Sequence, residues 1–234
     1  MTLPYFYSKE LAPIGMSLIL EEDTSRHITQ VLRKENGDKL LLTDGRGARA
    51  IAIITDNNRK KTQVMIVSIE QEPQHTSSVS IAISLLKNAS RFEWFLEKAT
   101  EIGVSQIIPL LCERTEKEKF RHDRLSSILI SAMLQSQQSW MPKLWEPISF
   151  QKIIERTNEG KKFIAHCLPE QKVQLSSLPH HASSLIFIGP EGDFTEGEIK
   201  MAVENSFQPV ALGNSRLRTE TAGIVAATLL CTGY

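Results

Sequence analysis

The sequence predicts an α/β protein in two parts, a small β-barrel followed by a mainly parallel sheet with helices on both faces. Three observations predict it. Up to about Glu70, short β-rich runs follow one another with turns between them. After about Ser80, continuous apolar runs of strand length alternate with helical patterns, as in sheets whose parallel strands are joined by crossover helices. Between the two, EQEPQHTSS (70–78) is polar, contains Pro73 and lacks periodicity, so the boundary belongs there. The division is a barrel at 1–70, a linker at 71–78 and a larger domain at 79–234.

In the first part, strands are predicted at 16–20, 39–43, 48–55 and 62–69, with hairpin chemistry at Asp44-Gly45-Arg46-Gly47 and Asp56-Asn57-Asn58. One helix interrupts them. It starts near Asp23 or Thr24, carries Ile28, Val31 and Leu32 on one face, and has Gly37 after its end. A barrel of this kind can offer one face to nucleic acid, with Arg26, His27, Arg33 and Lys34 as candidates, joined by Arg46 and Arg49 on the hairpin. Ten basic against nine acidic residues in 1–70 leave a plain solvated face equally open.

In the second part, strands are predicted at 80–85, 106–111, 162–167, 185–188 and 207–212, and helices at 92–102, 125–138, 150–159, 196–205 and 221–231. Two strand-to-helix turns stand out, IGPEGDFT (188–195) and LGNSRLRTETA (212–222). In each, an apolar run meets glycine and then a polar turn that opens a helix, which is how an open α/β sheet presents a ligand crevice. Thr195 and Glu198 have capping-box spacing, and Thr219 or Glu220 begins the last helix. Gly189, Gly192 and Gly213 let backbone approach a flat ligand, and Pro190 stiffens the first turn. That suits an adenine-bearing cofactor held by main chain, while a purely structural turn has the same spacing.

Composition removes several classes of function. With 234 residues, 41% of them hydrophobic, the chain can bury a sizeable core. Twenty-seven basic residues balance twenty-seven acidic ones, so RNA contact must come from a local patch. Cys112, Cys167 and Cys231 lie far apart and outside any CxxC pattern, against a disulfide framework or zinc site and in keeping with a reduced cytoplasm. No apolar run approaches the ~20 residues of a membrane span, and the first ten residues lack a signal-peptide layout, so a cytoplasmic location is expected. GxxxxGK[ST], GxGxxG, GxSxG and HExxH are absent, which leaves nucleotide hydrolysis, NAD chemistry, serine hydrolysis and a catalytic metal without support. His180 with His181 reads as a polar loop, and Lys98 with Glu101 as an intrahelical ion pair.

IGPEGDFT, LGNSRLRTETA and the helical LEKATEIGV (96–104) closely resemble the signatures of the ribosomal RNA small subunit methyltransferase E family. These are S-adenosylmethionine-dependent enzymes of the SPOUT class that make N3-methyluridine in 16S rRNA. HITQVLR (27–33) matches the family's HxxxVLR segment, and residues 87–94 match the stretch before the KATE helix, so the resemblance spans nearly the whole chain. It implies a PUA-like barrel that holds RNA, then a SPOUT domain with a C-terminal trefoil knot, a rare departure from the rule that chains do not thread loops. It implies S-adenosyl-L-methionine as cofactor, 16S rRNA or the small ribosomal subunit as partner, and a homodimer. The matching pocket segments are the loop around Cys167 and Leu168, then 189–194 with Pro190, Glu191 and Gly192, then 212–221 with Gly213, Leu217, Arg218 and Thr221.

Methyl transfer to uracil N3 needs in-line placement and loss of the imide proton, and positioning alone supplies on the order of 7 to 11 kcal/mol. The resemblance makes Arg218, Glu191 and Glu220 the catalytic candidates. Arg218 would stabilise a deprotonated uracil or hold a phosphate, and either carboxylate would act as base or orient the base edge. Plain alternatives stay open: a structural salt bridge for Arg218, a turn residue for Glu191, a helix-start carboxylate for Glu220. The chain departs from the family at Asp193, where a second glycine is usual, at Ser215 and Gln138, where arginine is usual, and at Arg216, an apolar position that here becomes an RNA-binding candidate. Two other functions remain open: a SPOUT enzyme acting on another RNA such as tRNA, and a non-catalytic RNA-binding ribosome assembly factor.

Overall fold

Hydrogen-bonded pairing sorts the strands into two separate sheets. The computed structural model describes residues 3–74, 78–116, 120–157, 160–169, 172–179 and 181–232. Among the sequence expectations, the central linker residues, Glu159 and His180 lie outside these. The chain forms two compact units, Met1–Gln74 with Met133–Met141, and His75–Ala132 with Pro142–Tyr234.

The first unit holds strands β1 (Tyr5–Tyr7) and β2 (Ser17–Ile19), helix α1 (Glu22–Arg26), and strands β3 (Lys39–Thr43), β4 (Ala48–Asp56) and β5 (Gln63–Gln71). Their order is β1-β3-β4-β5-β2, antiparallel except for the β1–β3 pair. Period-2 alternation makes the sheet one-sided: alternate residues of β4 from Ala48 are buried, and Ala50, Ala52 and Ile54 meet Phe6, Ile28, Leu40, Leu42, Val64 and Ile66 in one core. The expected helical face is corrected here. Ile28 is buried, but Val31 is 67% and Leu32 38% exposed. After Arg26 the helix widens to a π turn over His27–Val31, with the Leu32 N–H donating to the His27 carbonyl at 3.0 Å. The i→i+5 repeat rotates later side chains off the buried stripe, and Arg33 at φ 52° ends the turn. The segment 133–141, expected within the second part, belongs to this unit. Tyr5 Oη donates to the Gln138 carbonyl at 3.1 Å, and Arg46 forms a β-bridge with Trp140.

The second unit contains β6 (Ser78–Ser84), α2 (Ala89–Ile102), β7 (Gln106–Leu111), most of α3 (His122–Gln135), β8 (Lys143–Leu144), β9 (Ile148–Ser149), α4 (Phe150–Arg156), β10 (Lys161–Ala165), β11 (Val173–Gln174), β12 (Ser183–Ile188), α5 (Glu196–Glu204), β13 (Gln208–Ala211) and α6 (Thr219–Cys231). The strand order is β11-β13-β10-β12-β6-β7-β8, with β9 also on β7, and the pairs described are all parallel. α3 ends at Gln135, so Gln138 lies past the helix expected to contain it, and Gln137 takes φ 57°. The core is aromatic: Phe187 stacks on Phe207 at 4.3 Å between centroids, and Phe150 packs edgewise on Phe187 at 5.4 Å. Each such ring contributes about 1.5 to 3 kcal/mol when fully buried. α6 packs on this sheet through Gly223, where a Cβ would meet Phe95 at 2.6 Å and Ile83 at 2.9 Å, so any larger residue would force those buried side chains to shift. No helix among the described residues is long and apolar enough to cross a membrane.

Candidate active site

β10 lies between β12 and β13, and Ala165 is in register with Ile188 on one side and Val210 on the other. The three strands therefore end together, and the loops that follow (166–168, 189–194 and 212–218) start side by side at the carboxyl edge, where open α/β sheets bind ligands.

The 189–194 turn is pinned from several directions. Asp193 sits at φ 62°, a left-handed conformation that disfavours residues other than glycine by about 1 to 2 kcal/mol. Its carboxylate accepts from the Cys167 N–H at 2.7 Å and the Phe194 N–H at 2.9 Å. Both are charge-assisted; the first ties the loop at 166–168 to this turn, and the second fixes the turn's own exit. Arg114 donates to the Gly192 carbonyl at 2.8 Å, Thr219 Oγ1 to the Gly189 carbonyl at 3.0 Å, and Phe194 is buried beside Phe150. Beyond the turn, Thr195 and Glu198 complete the expected capping box, and the other Glu198 oxygen accepts from the Glu113 N–H at 2.8 Å.

Two cavities adjoin here and share Cys167, Arg216 and Leu217. The first, about 450 Å³, has Gly189, Pro190, Glu191, Asp193 and Arg218 along its wall, together with Arg91 from α2. The second, about 420 Å³, runs along Val210, Leu212, Gly213 and Asn214 to His166 and Lys172. Arg91 joins both candidate carboxylates, 3.2 Å from Glu191 and 3.7 Å from Glu220. Glu220 is buried, and its Oε2 has no hydrogen bond among the described residues. Arg216 and Arg218 are exposed and in no ion pair among those residues. Of the thiols, Cys167 is exposed on the shared wall. Burial and the nearby Glu198 carboxylate push Cys112 far above the ordinary thiol range, and burial pushes Cys231 up to about 11.

An RNA methyltransferase domain matches residues 72–231, and an RNA methyltransferase PUA domain matches residues 20–67. A relative from Synechocystis sp., named ribosomal RNA small subunit methyltransferase E, is 30% identical over 209 residues, which cover 86% of this chain and 68% of the relative. The chain belongs to the ribosomal RNA small subunit methyltransferase E family. Among solved structures, that of a probable rRNA-methyltransferase from Porphyromonas gingivalis is 38% identical with a TM-score of 0.91, covering 97% of this chain and 96% of that one. A ribosomal RNA small subunit methyltransferase E from Neisseria gonorrhoeae, bound to S-adenosyl methionine, is 28% identical with a TM-score of 0.87 over 97% and 96%.

Most of the family-motif positions converge on the two cavities. Cys167, Gly189, Pro190, Glu191, Leu212, Gly213, Leu217, Arg218 and Arg216 line one or both. Leu168, Gly192, Glu220 and Thr221 do not. Leu168 packs on the aromatic core, Gly192 holds Arg114, and Thr221 lies on α6, where Thr219 makes the contact to the first turn. In the first unit, Arg26 pairs with Glu22, Lys34 with Asp38, Arg46 with Asp44 and Arg49 with Glu72. His27 packs edgewise on Phe6, and Arg33 is exposed with no ion pair among the described residues. Sequence reasoning missed Arg91 and the latch made by Asp193. Arg91 is 100 residues from Glu191 with no motif joining them, whereas Asp193 could have been found as a non-glycine residue in a glycine-type turn.

Proposed function

We propose that the chain transfers the methyl group of S-adenosyl-L-methionine to N3 of a uridine in 16S rRNA of the small ribosomal subunit. The observation that carries this reading is the meeting of three loops from adjacent strand ends in two cavities, one lined mainly by main chain and apolar groups with Lys172 and Arg216 at its edge, the other carrying Arg91, Glu191, Asp193 and Arg218. Gly213, at φ 130° with open space where a Cβ would stand, leaves main chain bare beside Leu212 and Leu217. That fits an adenosine, and the pinned 189–194 turn supplies a rigid wall to the adjoining cavity, which meets this one at Cys167, Arg216 and Leu217. The bound cofactor brings a methyl group already activated by its sulfonium charge.

The protein's own part is placement and handling of the imide proton. Glu191 faces the charged cavity and takes that proton. Arg91, between Glu191 and Glu220, holds both carboxylates in place. Arg218 offers an uncommitted guanidinium to the negative charge that develops on uracil, the kind of contribution worth about 100- to 1,000-fold in rate. Of the arginine and lysine candidates in 1–70, Arg33 is the one without an ion pair among the described residues, and it is free to reach RNA. A trefoil knot in 79–234 is supported by the order β13-β10-β12, which sets the last strand across β10 from β12. A homodimer is supported by α6, which leaves Ile224, Val225, Leu229 and Leu230 only partly covered.

Mass spectrometry of 16S rRNA from a strain lacking the protein tests the reading. One N3-methyluridine should be missing, restored by the wild-type chain and not by Arg218→Ala. If all N3-methyluridine persists, the site assignment fails. In that case, binding of S-adenosylmethionine by calorimetry would redirect the search to tRNA, and absence of binding would favour an assembly factor.

A further inference from the structure

A third cavity, of about 260 Å³, lies beside the cleft, and neither the family motifs nor the proton handling above uses it. Its floor is Leu85, Leu86 and Phe92, its wall Phe120, and its rim Arg121 and Arg124. Two features place it next to the methyl-transfer cleft. Leu85 and Leu86 follow β6, which pairs with β12 up to Ile83 opposite Ile188, so they leave the sheet beside Gly189. The first turn of α2 is also a shared partition: Ala89, Ser90 and Glu93 face this cavity while Arg91 faces the cleft.

The chemistry is that of a flat apolar ligand attached to an anion. The floor is almost fully buried hydrocarbon, and Phe120 offers an aromatic face. The two rim cations differ. Glu93 neutralises Arg124 through a two-point pair, Nε to Oε1 at 2.7 Å and Nη2 to Oε2 at 3.0 Å, which also fixes that side of the opening. Arg121 is exposed and has no carboxylate partner among the described residues. An uncharged peptide side chain would use the floor and leave Arg121 idle, whereas a nucleotide uses both, its base on the aromatic wall and its phosphate on the guanidinium.

We propose that this cavity receives a nucleotide flanking the methyl acceptor, with its base stacked on Phe120 and its phosphate held by Arg121. The assignment rests on the RNA methyl-transfer reading above. It makes the cavity a specificity device: anchoring the neighbour one strand away adds binding energy for RNA that carries the right flanking nucleotide.

The test uses full-length protein, tritiated S-adenosylmethionine and small subunits from a strain lacking the enzyme. Phe120→Ala and Arg121→Gln should each raise KM for subunits about fivefold or more, leaving kcat and cofactor affinity within about twofold. Phe120→Trp and Arg121→Lys should return KM towards wild type. Arg121→Gln should also lower the slope of log affinity against log salt by about 0.7 to 0.9, one phosphate contact. Unchanged KM in the variants, a loss in kcat instead, or no rescue by the conservative pair overturns the proposal. If Phe120→Ala does not fold, exposed Arg121 decides alone. Wild-type protein that methylates no rRNA would instead overturn the reading on which the assignment rests.

Discussion

The turn at 189–194 is tied down by Arg114, by Thr219, by the Asp193 carboxylate and by the buried Phe194 ring, whereas 212–218, whose last residues line the first cavity with it, is mostly exposed and carries Gly213 with open space where a side chain would stand. The two stretches have the same sequence grammar, an apolar strand followed by glycine and a polar helix entry. Their difference lies in what packs on them. A rigid wall beside a compliant one lets a ligand be gripped without the whole sheet moving, and it puts preorganisation, on which electrostatic catalysis depends, on the side that carries Glu191.

Five substitutions probe that asymmetry. Phe194→Ala should have the largest effect, lowering unfolding free energy by about 3 to 5 kcal/mol in denaturant titrations, as for other buried aromatics, while Leu212→Ala should cost about 1 kcal/mol or less. Equal losses would mean that the two turns are equally built into the core. Arg218→Ala should reduce kcat for rRNA methylation at least about 100-fold and leave cofactor binding within about threefold. A matching loss in cofactor affinity would make Arg218 a structural or cofactor residue. Asp193→Gly restores the residue usual in the family and removes left-handed strain, but it also removes two hydrogen bonds worth about 1.5 to 3 kcal/mol each. We expect cofactor affinity to fall about tenfold by calorimetry, with faster amide exchange at Cys167; an unaltered dissociation constant would show that the first wall does not need this latch. Gly213→Ala should be the mildest. Its φ of 130° penalises a side chain by about 1 kcal/mol, but the loose turn can absorb the change, so cofactor affinity should drop by less than tenfold.

Much of this site was legible because the information was local. Thr195 and Glu198 stand three apart and cap α5 as their spacing requires, and the apolar runs before Gly189 and Gly213 became β12 and β13 with boundaries within about two residues. Where local regularity failed, so did the expectation. The α1 stripe assumed a 3.6-residue repeat, and the π turn at His27–Val31 moved Val31 and Leu32 into solvent. Among the cations expected to form an RNA face, Arg26 with Glu22 and Lys34 with Asp38 stand four apart, where an ion pair is expected, but nothing in the sequence disclosed that Arg49 has Glu72, 23 residues on, beside it.

What the sequence determined by itself was the alphabet of the site: two glycine-bearing strand ends, their helix entries and the residue types between them, all fixed by hydrogen bonding and hydrophobic periodicity over a few positions. What only the tertiary structure decided was adjacency. It set β13 beside β10, brought Arg91 to Glu191 and Glu220, gave 133–141 to the first unit, and used Asp193 to join two loops 26 residues apart. Local rules rank conformations of a segment; partners distant in sequence are selected by which arrangement of the whole sheet buries the most apolar surface with its polar groups satisfied.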